Sequence, residues 1–250
     1  MIFISADMSQ AEARIVALLA QDEYLLHIFN TDQDIHSITY SWIHEAFYGK
    51  SPTKEEITED RRFLGKTGRH AMAYGEGKHK LMLSTNSDAR KFGIDVSISE
   101  KQAGQILQTL HGRSPKIRAV YHRDVIQALE CNNNRRLINP YGRARTFYGR
   151  WGDDLFREAY AQIPQSTVPD HLKHAGLRLH DKHTRLQFLK EDHDGFLFQV
   201  PIREAERWAK IIKDEIEVPI DFSRCSLPRG ILTIPCEIKT GYNYKDMVKI

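Results

Sequence analysis

The sequence predicts an α+β fold in which a helical block interrupts a sheet built from both ends of the chain. Apolar, β-prone runs stand at the two ends, Ile2-Phe3-Ile4 at one and Phe196 to Val200 and Ile231 to Ile238 at the other. Helical periodicity with recognisable starts and stops fills much of the middle. No internal repeat, low-complexity tract or flexible linker divides the 250 residues, so a second domain has to be an insertion.

Met1 to Ala6 reads as a buried strand that starts without a leader. Ser9 then caps a helix through about Ala20, with Ala11, Ile15, Leu18 and Leu19 on its inner face. Asp22 to Lys54 is less regular. Asp60 to Tyr74 reads as one helix that ends near Gly75-Glu76-Gly77, Lys78 to Phe92 as another, and Glu100 to Leu110 as a third that starts at Ser99 and stops at His111-Gly112. A further helix covers Pro115 to Leu129. A polar turn at Asn132-Asn133-Asn134, a strand near Leu137-Ile138 and an Arg- and Gly-containing stretch from Tyr141 to Trp151 follow.

Leu155 to Leu189 is mostly helical, with Pro164 and Pro169 expected to mark a turn or break. Leu186 to Leu189 and Phe196 to Val200 are β-like runs around Asp194-Gly195, a common hairpin turn. Pro201 opens a helix from Ile202 to Ile216, and Ile231 to Ile238 is a final strand before Gly241.

The net charge of +3 says little, but residues 113–150 hold nine Lys or Arg against two acids, an excess that suits a polyanion. The three cysteines, Cys131, Cys225 and Cys236, form no Cys-x-x-Cys pair, so neither a disulfide framework nor a zinc site is indicated. Apolar runs are short and interrupted by charges, which excludes a membrane span on sequence grounds and points to a soluble intracellular chain.

Three clusters carry chemistry. The first is Asp7-Met8-Ser9-Gln10-Ala11-Glu12, where a strand ending in a carboxylate passes into a helix; alone, it reads as a capping box between Ser9 and Glu12. The second is the helix stripe Arg62, Lys66, His70 and Tyr74. Steps of four residues drift only about 40° per step, so two cations, an imidazole and a phenol line up over roughly 18 Å. Such a stripe could hold a phosphate-rich ligand that ends in an aromatic base, although alone it is more often a solvated basic face. The third is Asp192-His193-Asp194-Gly195, by itself merely a turn.

In this order and setting the clusters resemble motifs A, B and C of the family A DNA polymerases, the relatives of bacterial DNA polymerase I. The segments between them fit too: Asp34-Ile35-His36, Gly142-Arg143-Ala144-Arg145, Arg157 with Gln165, and Gly241-x-Asn243-Tyr244. The resemblance covers essentially the whole chain. It implies a right-hand polymerase palm, an antiparallel sheet backed by helices, with an inserted helical fingers subdomain and the thumb absent. Residues 1–26 and 151–250 are then palm and 27–150 fingers.

The implied activity is template-directed DNA synthesis on primer-template DNA from deoxynucleoside triphosphates, with two Mg2+ ions. By the resemblance Asp7 and Asp194 are the metal-bridging catalytic carboxylates and the Met8 carbonyl a third protein oxygen. Gln10, Glu12, His36, Arg62, Lys66, His70 and Tyr74 bind the nucleotide. Among them Lys66 also protonates the leaving pyrophosphate, and Glu12 and Tyr74 close the pocket at the sugar 2′ position. Arg143, Arg145, Arg157, Gln165 and His193 contact DNA.

There are departures from the family pattern. His70 stands where the family has Phe or Tyr, Gly195 replaces the second acid of motif C, and Ala161 replaces a frequent Asn. Gly65 and Gly68 weaken the nucleotide helix by roughly 1 kcal/mol each relative to Ala, which suggests a mobile fingers helix. With nothing before Met1, the expectation is either a truncated product or, in preference, the carboxyl-terminal part of a split phage polymerase in a bacterial or phage-infected cytoplasm. An amino-terminal partner chain would carry the thumb, an exonuclease in many relatives, and strands that pair with the first strand. Two other readings are a noncatalytic nucleic-acid-binding remnant and a single-subunit RNA polymerase. Intact Asp7, Asp194, Arg62, Lys66 and Tyr74 oppose the first, and Glu12 in its Ser-Gln-x-Glu setting opposes the second.

Overall fold

A computed structural model describes residues 1–31, 33–131 and 135–250. The expected turn at Asn132-Asn133-Asn134 lies outside the described residues. Strand β1 (Ile2–Met8) leads into helix α1 (Ala11–Ala20). Gln10, at φ 53°, and not Ser9, is the residue before the helix, so the expected capping box does not form in that register.

The region expected to be irregular holds two helices, α2 (Glu23–Asn30) and α3 (Ile35–Tyr48). Their starts were encoded in Asp22 and Asp34, whose side chains accept from the first-turn amides, and Gly49 at φ 71° closes α3. Helices α4 (Glu59–Ala73), α5 (Lys78–Phe92) and α6 (Glu100–Arg113) follow as predicted, the last on a complete Ser99–Gln102 capping box. The single helix expected over 115–129 is instead a π-helical turn, Ile117–His122, followed by α7 (Arg123–Cys131); the wider turn buries Ile117, Tyr121 and His122 together.

Next come β2 (Arg136–Ile138), β3 (Ala144–Thr146) and α8 (Asp153–Lys182), which runs unbroken through both prolines. Pro164 has no N–H for the Tyr160 carbonyl four residues earlier, and the Tyr121 hydroxyl donates to that oxygen instead. The remaining elements are β4 (Gln187–Glu191), β5 (Gly195–Val200), a 3-10 turn at Ile202–Glu204, α9 (Ala205–Ile216), β6 (Ile220–Asp221), β7 (Ile231–Leu232), β8 (Cys236–Gly241) and β9 (Val248–Lys249). The strand expected over 231–238 is thus two. Pro235 cannot donate to a ladder, so β7 pairs with β6 and β8 with β1.

The chain divides into two units: residues 1–15, 137–145 and 162–250, and residues 16–136 and 146–161. In the first, five antiparallel strands are ordered β4-β5-β1-β8-β9. Ile4, Ala6, Met8, Phe196, Phe198, Val200, Cys236 and Ile238 are buried on one face, each large side chain contributing roughly 1.5–3 kcal/mol. Ser5 and Asp7 alternate onto the other, half-buried face. A one-residue slip would turn Asp7 into the core, so this burial fixes the register. Both neighbours of β1 belong to this chain, contrary to the expectation that a partner supplies them; apolar alternation on β5 and β8 already saturates it.

In the second unit α4 packs on α3 and α6. A Cβ at Gly65 would lie 2.1 Å from the His36 carbonyl oxygen, and one at Gly68 would lie 3.1 Å from Ile106 Cγ2. These glycines set close helix approach rather than the mobile helix expected from propensity alone. Arg69, buried, donates to Thr39 Oγ1 and Ser114 Oγ and lies over the Trp42 ring. Among the described residues no helix is long and apolar enough to cross a membrane.

Candidate functional site

Strand pairing in the first unit builds a carboxylate site. Asp7 pairs with Gly195, and the next amide, Met8 N, donates to the Asp194 carbonyl at 2.8 Å. The hairpin tip is Asp192–Asp194, closed by Asp192 N donating to Gly195 O at 2.8 Å, so Gly195 is the first strand residue rather than the expected turn residue. Its small size serves another purpose. A Cβ there would lie 2.3 Å from Asp7 Oδ1 and 2.6 Å from the Ala6 carbonyl oxygen. The Asp7 carboxylate therefore occupies the room a side chain at 195 would need.

Ser5 Oγ donates to Asp7 Oδ2 at 2.8 Å. Burial pushes the Asp7 carboxyl up, the Ser5 hydrogen bond and the Lys239 ammonium oppose that rise, and the Asp194 charge adds to it. Asp7 is half-buried and Asp194 exposed, so two like charges lie close together at the hairpin end of the sheet with the Lys239 cation nearby. Glu12 Oε1, at the start of α1, lies 3.2 Å from His193 Nε2 on the hairpin. Gln10 holds the left-handed junction between β1 and α1.

The second unit carries the cationic stripe. Arg62 is half-exposed, Lys66 and His70 are exposed, and Tyr74, the residue that ends α4, is buried. His70 and Tyr74 meet edge to face with ring centroids 4.6 Å apart. Arg62 Nε and Nη2 donate to Asp34 Oδ2 and Oδ1 at 2.7 and 3.0 Å, and with Ser37 this holds the Asp34 carboxyl at about 2 despite burial. His36 is buried with no hydrogen-bond partner at Nδ1; burial, and then the Arg62 charge, holds its imidazole at about 4. It is therefore neutral at physiological pH.

The candidate DNA contacts fall in both units. Arg143 makes a two-point ion pair with Asp170 at 2.8 and 2.5 Å, while Asn139 Oδ1 accepts from Tyr141 N and Arg143 N at 2.9 Å to shape its turn. Its guanidinium is thus already engaged within the chain. Arg145 is exposed, Arg157 pairs with Asp154, and Gln165 is exposed on α8. The positive excess over 113–150 is reduced as well: Arg113, Lys116 and Arg143 pair with Glu45, Glu23 and Asp170, all outside that stretch.

Sequence reasoning missed three residues. Ser5 could have been found from strand alternation with Asp7, and Asp34 from its quoted place beside His36. Lys239 had no local signal, because only the β1–β8 register brings it near Asp7.

The sequence profile of DNA polymerase family A matches residues 1–246. The chain belongs to that family. It is 28% identical over 249 residues to the thermostable DNA polymerase I of Thermus thermophilus, covering 96% of this chain and 26% of that protein. With DNA polymerase I of Chloroflexus aurantiacus it shares 28% identity over 222 residues, 85% of this chain and 21% of the relative. The chain therefore spans about a quarter of the length of these curated relatives. Among solved structures, the polymerase domain of Pol1 from M. smegmatis, in complex with DNA primer-template and dNTP, superposes with a TM-score of 0.70 at 23% identity, over 97% of this chain and 40% of that one. That likeness establishes a shared α+β polymerase fold.

Proposed function

We propose that the chain catalyses template-directed addition of deoxyribonucleotides to a primer 3′ hydroxyl, the sheet unit acting as palm and the helical unit as fingers. The observation that carries this reading is the β1–β5 register, which seats Asp7 beside the Asp194 hairpin in a chain of family A.

The donor set fits a hard divalent cation. Among the described residues no three His, Cys, Asp or Glu side chains converge as a metal cage, but Mg2+ keeps waters and substrate oxygens and needs only one or two carboxylates. Asp7, whose carboxyl is pushed up chiefly by burial and further by the Asp194 charge, and Asp194 would hold it with the Met8 carbonyl. When bound, two Mg2+ ions supply electrostatic stabilisation of the attacking and leaving oxygens. Ser5 orients the Asp7 carboxylate, and Lys239 offsets part of its charge.

On the helical unit Arg62, Lys66 and neutral His36 bind the triphosphate. Lys66, exposed on the stripe, is the proton donor for the departing pyrophosphate. His70 offers a ring to the base, and Tyr74 and Glu12, with Gln10, restrict the sugar. Arg143, its Nε–Nη2 edge held by Asp170 and the rest of its guanidinium exposed, contacts the nucleic acid together with Arg145, Arg157, Gln165 and His193. Primer extension in Mg2+ with deoxyribonucleotides and ribonucleotides in separate reactions tests the reading. Extension with deoxyribonucleotides alone is expected. A chain that binds the DNA but adds no nucleotide would be a noncatalytic remnant, and preferential ribonucleotide addition would make it an RNA polymerase.

A further inference from the structure

Asp34 has no part in the proposed chemistry, yet it is the most heavily engaged carboxylate near the cationic stripe. Its Oδ2 accepts from Ser37 Oγ at 2.5 Å, Ser37 N at 3.1 Å and Arg62 Nε at 2.7 Å; its Oδ1 accepts from His36 N at 3.3 Å and Arg62 Nη2 at 3.0 Å. The first turn of α3 therefore anchors this carboxylate as an N-cap, and the anchored carboxylate in turn grips the Nε–Nη2 edge of Arg62. His36 projects from the same turn, and its charge state is governed by burial and by Arg62 and Lys66 as well as Asp34.

We propose that Asp34 is a positioning residue for nucleotide recognition, fixing Arg62 so that the Nη1 nitrogen is left for a phosphate oxygen and tying that guanidinium to the turn that carries His36. This rests on the reading of Arg62 as a triphosphate ligand. An Arg side chain has about 2 kcal/mol of rotamer freedom to lose on binding, and a bidentate anchor removes most of it beforehand. A competing consequence of the same pair is that the Asp34 charge repels the incoming phosphates. Anchoring prevails in this geometry because Asp34 cannot swing aside without uncapping α3, so Arg62 does not have to be won back from a mobile competitor.

The test is equilibrium binding of mant-dATP to the protein on primer-template DNA with a dideoxy-terminated primer, for the unmutated chain, Asp34→Asn, Arg62→Lys and the double variant. Asn retains N-cap capacity, so α3 and the thermal melting point should hold while the charged anchor is lost. Asp34→Asn is expected to raise Kd about tenfold, the scale of one charge-assisted contact. In the Arg62→Lys background the same substitution should change Kd less than about twofold, since Lys cannot be gripped at two points. An unchanged or lower Kd for Asp34→Asn, or an equal effect in both backgrounds, overturns the assignment. Saturable binding by the unmutated chain that Arg62→Lys does not weaken removes the reading of Arg62, and this inference with it.

Discussion

In the sheet unit, Asp7 and Asp194 stand far apart in the sequence and meet only because β5 pairs with β1 in one register; in the helical unit, Arg62, Lys66, His70 and Tyr74 fall on one helix and need no pairing to line up. Their supporting contacts reverse that order. The Asp7 carboxylate accepts a hydrogen bond from Ser5 two residues away, whereas Arg62 takes its orientation from Asp34 at the start of another helix. A site assembled at long range can have local supports, and a site that is local can depend on a distant anchor.

The largest effects should come from breaking the long-range half. Asp7→Asn or Asp194→Asn is expected to lower primer extension by at least about 10²–10³-fold, with DNA binding retained in a mobility-shift assay. Near-normal turnover in either variant would remove the carboxylate from the chemistry. Gly195→Ala should follow. Its Cβ meets Asp7 Oδ1 and the Ala6 carbonyl, so a loss of about 1–3 kcal/mol in denaturant unfolding is expected together with slower extension. Restoring the acid usual in the family, Gly195→Glu, should likewise fail to improve activity.

In the helical unit, Gly65→Ala separates propensity from packing. Helix propensity alone would favour the variant by roughly 1 kcal/mol. The 2.1 Å approach of that Cβ to the His36 carbonyl predicts instead a loss of about 1–3 kcal/mol, because a backbone atom cannot give way as a side-chain tip can. A stabilised variant would show that the α3–α4 contact is looser than described.

A gentler test uses acid. His36, His111 and His122 in the helical unit are each held at about 4, burial being the main cause. The folded state then binds their protons more weakly than the unfolded chain, so stability is full above about 6.5 and falls as pH drops toward 4. In the sheet unit only His171 is lowered in this way, and Asp170, Glu215 and Glu237 are held below the usual carboxylate range, so their contribution is lost only at more acidic pH. Hydrogen exchange followed by mass spectrometry between pH 7 and 4 should show α3, α4 and α6 losing protection before β1, β5 and β8. Simultaneous loss, or the reverse order, would contradict this assignment of the titrating groups.

Much of this was legible in the sequence because it rests on local chemistry. Strand alternation, the Ser99 capping box and the four-residue spacing of the stripe each report a single element, and β1, α5, α6 and β5 follow from them. What escaped depends on partners. The prolines of α8 looked like a break because nothing local shows that Tyr121 supplies the Tyr160 carbonyl with a donor. Gly195 looked like a turn residue because its need for space comes from Asp7 on another strand, and the basic run over 113–150 looked free because its acids lie elsewhere in the chain.

The central claim is that strand register makes one cation site from Asp7 and Asp194. Binding of Mn2+ to the protein, followed by electron paramagnetic resonance, tests it most directly. Asp7→Asn and Asp194→Asn should each weaken binding at least about tenfold, with the double variant little worse than either, as expected for ligands of one site. Two independent, additive losses, or binding that neither substitution alters, would contradict it.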